Sequence, residues 1–124
     1  NYRTGRWIAF YKNDMEAVVD LQKETSISKA WIRAYVEMGE EILDLRKFAV
    51  AVSTDGKTYK EIKSEAYPAA KKEDKNGIFT HELTFDPVNV RYVKFMAQPE
   101  YSISVWHSGK GRPAFIFVDE IGLE

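Results

Sequence analysis

Along most of this chain the apolar positions recur at every second residue. In residues 27–36, Ala30, Ile32, Ala34 and Val36 fall on one face and Trp31, Arg33 and Tyr35 on the other. Residues 47–53 alternate Phe48, Val50 and Val52 against Ala49 and Ala51. Residues 78–85 set Phe79, His81, Leu83 and Phe85 against Thr80, Glu82 and Thr84, and residues 90–97 set Val93, Phe95 and Ala97 against Tyr92, Lys94 and Met96. Shorter runs at 6–11, 16–21, 59–66 and 114–123 are also rich in β-branched and aromatic residues, as strands prefer.

Turn chemistry separates these runs. Asp55-Gly56 is a hairpin signal, Asn76-Gly77 ends a polar stretch, and residues 86–89 (Asp-Pro-Val-Asn) predict a third turn. About eight short strands without a long helix predict an all-β fold, an antiparallel sandwich or barrel. Residues 37–47 are ambiguous. Ile42, Leu43 and Leu45 suit a single helical turn, while the strands on both sides favour a long ordered loop.

With 124 residues the chain suits one domain, and its 44% hydrophobic content is enough to fill a core. Eighteen basic and 19 acidic residues give a net charge of −1, too balanced for nucleic-acid binding. Cysteine is absent, which excludes disulfides and thiolate metal sites. No apolar stretch is long enough to span a membrane. The chain starts at Asn1 without a signal peptide, so it reads as a single domain, residues 1–124, cut from a longer protein whose address lay upstream.

The sequence argues against an enzyme. It has no Gly-x-Ser-x-Gly, and His81 and His107 lie too far apart for a paired metal motif. Gly109 and Gly111 lack the rest of a phosphate loop. Asp119 and Glu120 adjoin on a strand, where neighbours point to opposite faces and make a poor acid–base pair.

The order of the pieces resembles a known family. The Trp7 strand, "VVDLQKETSI", "VSTDGKTYKEI", "VRYVKF" and a closing strand with Glu120 follow one another as in discoidin, or coagulation factor V/VIII type C, domains, whose fold is shared by family-32 carbohydrate-binding modules. The ending "VWHSGKGRPAFIFVDEI" is similar to the domain that follows the catalytic barrel in some bacterial β-N-acetylhexosaminidases. The resemblance implies a galactose-binding-domain-like jelly-roll sandwich of about eight strands. It also implies loops gathered at one end and an accessory role on an exported glycoside hydrolase, whether extracellular, cell-surface or periplasmic. The expected partners are galactose- or N-acetylhexosamine-type glycans and the parent catalytic domain. Many members hold a structural calcium ion, for which Glu120 stands at the matching C-terminal position. The N-terminal loop that supplies its other ligands is absent here, and a calcium ion needs six to eight oxygens.

The ligand-binding candidates are Trp106, His107, Tyr101, Arg6 and Glu40. Sugar C–H faces stack on exposed rings, and sugar hydroxyls need fixed polar groups beside them. Trp106, His107 and Tyr101 supply those types in a Gly-rich loop. Arg6 could bind hydroxyls or a carboxylate in bidentate fashion, and Glu40 belongs to an acidic loop expected to wall the binding end. The competing reading has Trp106 plugging the sandwich end and His107 bonding a backbone carbonyl. Trp31, Arg33 and Tyr35 could form a flat patch that docks another domain, and His81 reads as a core or edge histidine. Two functions therefore stay open: non-catalytic carbohydrate binding through the end loops, or a docking domain without a sugar ligand.

Overall fold

The computed structural model describes the backbone of Tyr2–Tyr11 and the whole of residues 14–104, 106–107 and 109–124. Six strands form one antiparallel sheet: β1 (Tyr2–Tyr11), β2 (Met15–Val36), β3 (Lys47–Ser53), β4 (Lys60–Ala66), β5 (Gly77–Gln98) and β6 (Phe115–Leu123), in the order β1-β6-β2-β5-β3-β4. All eight stretches read as strands are extended over all or nearly all of their length. They make six elements because two pairs run on into single 22-residue strands, β2 and β5.

These two strands pair along nearly their whole length and bend twice. Asp20 lies opposite Tyr92 and Thr25 opposite Val90, so residues 21–24 make an excursion in β2. Gln22 takes φ 74° there, and its N–H is held by the Asp20 carboxylate at 2.8 Å. The second shift leaves Ser28 opposite residues 85–87, since Ile27 pairs with Val88 and Lys29 with Thr84. The Asp-Pro-Val-Asn stretch is therefore a bulge inside β5, a correction to the expected turn. Pro87 is tolerated because bulged positions need not donate to the ladder. The Ser28 and Lys29 N–H groups turn instead to the Glu124 carbonyl, at 2.8 and 3.0 Å.

The bends let the sheet fold over itself as a sandwich. Ile32 and Ala34 from the C-terminal half of β2, Val50 from β3, Phe95 from β5 and Ile116 and Val118 from β6 belong to one buried cluster. Phe48 and Phe95 stack inside it, their ring centres 6.1 Å apart. The edge strand β4 alternates lysine and glutamate, charges that discourage edge-to-edge pairing.

On β6 the register with β2 slips between Val118 and Glu120, so Asp119 bulges out. The slip changes the pleat phase: Ile116 and Val118 point inward, and then Ile121 and Leu123 do. Asp119 is re-aimed onto Arg33, to which it is ion-paired, so simple alternation does not describe the Asp119-Glu120 pair. Beside it, the Trp31 indole lies directly over Gly122. A Cβ at Gly122 would fall 2.2 Å from the indole Cε2 and Cζ2. Gly122→Ala should therefore cost about 1–3 kcal/mol through forced displacement of the ring, seen as a lower melting temperature.

The Asp55-Gly56 turn joins β3 to β4 as expected. The Asp55 carboxylate accepts the N–H groups of Thr58 and Lys57 at 3.0 and 2.8 Å and the Ser53 hydroxyl at 2.9 Å. These bonds, that from Thr58 foremost, hold its pKa down at about 2 against an ordinary 3.8. A depressed carboxylate pKa stabilises the fold above pH 3.8, and that contribution is lost as pH falls toward 2. Asp55→Asn should melt below the parent at neutral pH, and the gap between the two should narrow as pH drops through this window.

Candidate functional site at the loop end

Strand pairing brings three long connections to one end of the sandwich. Val36 faces Gly77, Tyr35 faces Phe117, and Lys47 faces both Ala66 and Gln98. Loops 37–46, 67–76 and 99–114 therefore meet there. Single backbone bonds tie them together, as from the Tyr67 N–H to the Arg46 carbonyl at 2.8 Å, and polar side chains reinforce these ties. Arg46 donates from Nε to the Tyr67 carbonyl and from a terminal nitrogen to Glu100, both at 2.9 Å. Its own backbone N–H reaches the Gln98 carbonyl at 2.7 Å. Asn76 accepts the Met38 N–H at 2.9 Å and donates to the Glu37 carboxylate at 3.0 Å. Beneath these ties Leu43, Ile103 and Ala114 form a small core of their own, packed by Met38 and Ala70.

The segment 37–47 combines both forms expected of it. It begins with one 3-10 turn, Met38–Glu40, and continues as an ordered loop. The Trp-His pair sits against that turn. His107 accepts the Gly109 N–H on Nδ1 at 2.8 Å, which makes Nε2 the protonated nitrogen, and Nε2 donates to the Met38 carbonyl at 2.6 Å. Both imidazole nitrogens are thus occupied by backbone. Residues 109–112 lie on Glu41, whose carboxylate is ion-paired with Arg112, and a Cβ at Gly109 would sit 2.8 Å from Glu41 Oε1. Trp106 is half-buried, its ring edge-on to His107 at 5.5 Å between centres. The indole is therefore braced without being enclosed.

The other candidates differ in where the fold puts them. Glu40 is exposed on the same 3-10 turn. Tyr101 is 40% exposed and leans away, its hydroxyl donating to Asp14. That bond, followed by burial, pushes the phenol pKa up to about 12. The side chains of Tyr2, Arg3, Arg6 and Trp7 lie outside the described residues. Glu120 stands within β6, between Gly5 of β1 and Arg33 of β2. Among the described residues no three His, Asp or Glu side chains cluster as a metal site would require. The neighbouring Asp119 is committed to Arg33. These groups do not fit a calcium cage.

A second feature of this end was not legible as a site. An open pocket of about 470 Å³ lies between loops 37–46 and 67–76 and the start of β5. His81, read from sequence as a core or edge residue, lies on its wall and bonds both oxygens of Asp44 at 2.8 and 2.9 Å. The Tyr67 ring packs on the imidazole at 4.3 Å. Burial, aided by the negative charges of Glu65 and Asp44, raises the Tyr67 pKa to about 12. Phe79 continues the inward phase of Leu83 yet is 38% exposed, because it reaches beyond the core to the pocket mouth. The one available signal was an apolar alternation that outruns the sandwich.

An all-β sandwich with its long loops at one end defines the galactose-binding-like class. The chain belongs to the F5/8 type C domain family, whose model matches residues 1–114. Among solved structures it is similar to the CBM32 of AlyQ in complex with 4,5-unsaturated mannuronic acid (TM-score 0.55, 10% identity, 94% of this chain and 74% of that chain). It is also similar to CBM32-1 of a family 31 glycoside hydrolase from Clostridium perfringens (0.54, 18%, 93% and 75%). A third is the C-terminal domain of a chitobiase from Bacteroides fragilis (0.52, 14%, 90% and 66%). At these identities the likeness is one of fold, and the chain spans only part of each neighbour's length. No curated protein matches it significantly. No helix among the described residues is long and apolar enough to cross a membrane.

The Arg46 staple sets a test of how the site is held. The Glu100 side chain is only 11% exposed, so removing its partner strands a carboxylate. Arg46→Met should destabilise by about 2–3 kcal/mol, and adding Glu100→Gln should restore part of the loss in a urea titration.

Proposed function

We propose that this domain is a non-catalytic carbohydrate-binding module that takes a glycan on its loop end. The single observation that carries the reading is the Trp106 indole, half-exposed and braced by a histidine whose nitrogens both bind backbone. Such a ring is a preorganised stacking platform for a sugar's C–H face, and little rotamer entropy is lost when it is covered. His107 then acts by positioning the platform. Exposed Glu40 and the Glu41–Arg112 pair are the hydroxyl partners beside it. Membership of the F5/8 type C family supports the reading.

We further read the domain as an accessory of an exported bacterial glycoside hydrolase of the hexosaminidase kind, and its ligand as a galactose- or N-acetylhexosamine-type glycan. The fold neighbours from a family 31 glycoside hydrolase and a chitobiase support that setting. Three carboxylates near the loop end are engaged in ion pairs or hydrogen bonds, Asp44 with His81, Glu41 with Arg112 and Glu100 with Arg46, which favours binding over catalysis.

Shallow sites of this kind bind on the order of millimolar to high micromolar, about −4 to −6 kcal/mol. Trp106→Ala should weaken glycan binding by about 1–3 kcal/mol, by analogy with stacking of bases on aromatic side chains, while the melting temperature moves by only a few degrees. Binding by glycan array and titration, with a melt on the same samples, decides. A parent domain that binds no glycan, together with a collapse of the variant's melting temperature, would make Trp106 a plug and leave a docking domain.

A further inference from the structure

We propose that Asn76 is a modification site: its carboxamide deamidates on the Asn76-Gly77 peptide, and the carboxylate left behind loosens the loop end. Of the chain's asparagines, Asn76 alone precedes a glycine; Asn1, Asn13 and Asn89 precede Tyr2, Asp14 and Val90. A glycine N–H is the least shielded backbone nucleophile, because no Cβ stands beside it. Asn76 is exposed at the end of loop 67–76, and Gly77 opens β5. Gly77 takes φ 147°, a conformation that residues with side chains rarely adopt, so the start of the strand itself calls for the reactive dipeptide. In the reaction the Gly77 nitrogen gives up its proton and bonds to Asn76 Cγ, the Cγ–Nδ2 bond breaks, and ammonia leaves. Water then opens the cyclic imide, at one carbonyl to an aspartate and at the other to a β-linked isoaspartate.

The surroundings set both the rate and the consequence. Oδ1 accepts the Met38 N–H at 2.9 Å, and Nδ2 donates to the Glu37 carboxylate at 3.0 Å. A carboxamide held at both ends must leave these partners before its carbon can reach Gly77, so the fold restrains the reaction. Afterwards an oxygen stands where Nδ2 donated, facing Glu37, whose other oxygen takes the Tyr35 hydroxyl at 3.1 Å. Glu40 follows on the same turn. A new negative charge set against a carboxylate acts by repulsion. The tie between loop 67–76 and Met38 is therefore lost, and Met38 also carries the carbonyl that receives His107. The effect rests on these contacts and not on whether Trp106 binds a glycan.

The test incubates the domain at mildly alkaline pH and follows the tryptic fragment that carries Asn76 by mass spectrometry, beside a synthetic peptide of residues 71–81. The parent should convert at Asn76, more slowly than the peptide, with the mass gain of an amide-to-acid exchange and part of the product open to isoaspartate methylation. Glu37→Ala, which frees Nδ2, should convert several-fold faster than the parent. Asn76→Asp carries the product's charge. It should lower the protection of the Met38 amide against hydrogen exchange and shift the His107 ring resonances, and by more than Asn76→Ala, which loses the tie without adding charge. Exchange in β3 and β4 should stay as in the parent, a sign that each variant is folded. The proposal is overturned if Asn76 stays intact in both the parent and Glu37→Ala while the peptide converts. It is equally overturned if the parent converts as fast as the peptide, or Glu37→Ala no faster than the parent. It also fails if Asn76→Asp leaves Met38 and His107 as they are in the parent, or disturbs them no more than Asn76→Ala does.

Discussion

The paired strands β2 and β5 are the constraint on which the rest of the molecule depends. Each runs for 22 residues, and together they cross both layers of the sandwich. Strands of that length cannot stay flat, because sheet twist accumulates and one face must be buried. The two register shifts bend the pair, and Pro87 and the left-handed Gln22 sit at the bends. Each bend costs ladder hydrogen bonds, and local groups offset that cost: the Asp20 carboxylate takes the Gln22 N–H, and the Glu124 carbonyl takes those of Ser28 and Lys29. Asp20 is itself held by a bidentate bond from Arg91 at 2.9 and 3.1 Å. Once the pair is bent, β3 and β6 can only add at its open edges.

The loop end follows a different physical rule. Three connections converge where no continuous ladder runs, so their backbone groups are satisfied one at a time, by single backbone bonds such as that from the Tyr67 N–H to the Arg46 carbonyl and by long polar side chains. Arg46, Asn76 and His107 each bridge two loops, and each spends its hydrogen-bonding groups on backbone or on one buried carboxylate. Side chains with fixed partners make a rigid end at the expense of their own availability to a ligand. That is why the polar residue most conspicuous in the sequence, His107, is spent on backbone, while apolar and aromatic groups such as Trp106, Phe79 and Tyr101 keep surface open.

The sequence carried the strands and little of what joins them. Alternation located the four longer stretches, where burial of one face is written into side-chain chemistry, and β-branched and aromatic content located the shorter ones. It could not show that residues 16–21 and 27–36 form one strand, since a bend made by Gln22 in a left-handed conformation leaves no glycine or proline to mark it. The Pro87 stretch misled for the opposite reason: a proline marks a missing donor, and a bulge lacks one as surely as a turn does. The bulge at Asp119 was equally silent. At the loop end the Trp-His loop was visible as an irregular aromatic pair. Its partner, the Met38 carbonyl, lies 69 residues away and is a backbone atom that any residue would supply. The pocket was illegible for the same reason. Asp44, Tyr67 and His81 come from three separate segments, and only the folded pairing of β2 with β5 brings them together.

Met38 ties these observations to recognition. Its N–H is taken by Asn76 of one loop, its carbonyl receives His107 of another, and its side chain lines the pocket. One residue of a three-residue 3-10 turn therefore mounts both the Trp106 face and the pocket wall. The turn has no freedom to serve one side by yielding on the other, because both of its backbone groups are committed to different loops. Glu41, held at φ 61° immediately after the turn, accepts the Phe115 N–H on its carbonyl and Arg112 on its carboxylate, which anchors the turn to β6. Under the proposed function, a surface held this way enters binding with its ordering cost already met during folding, and weak contacts with a flexible glycan can then show as affinity.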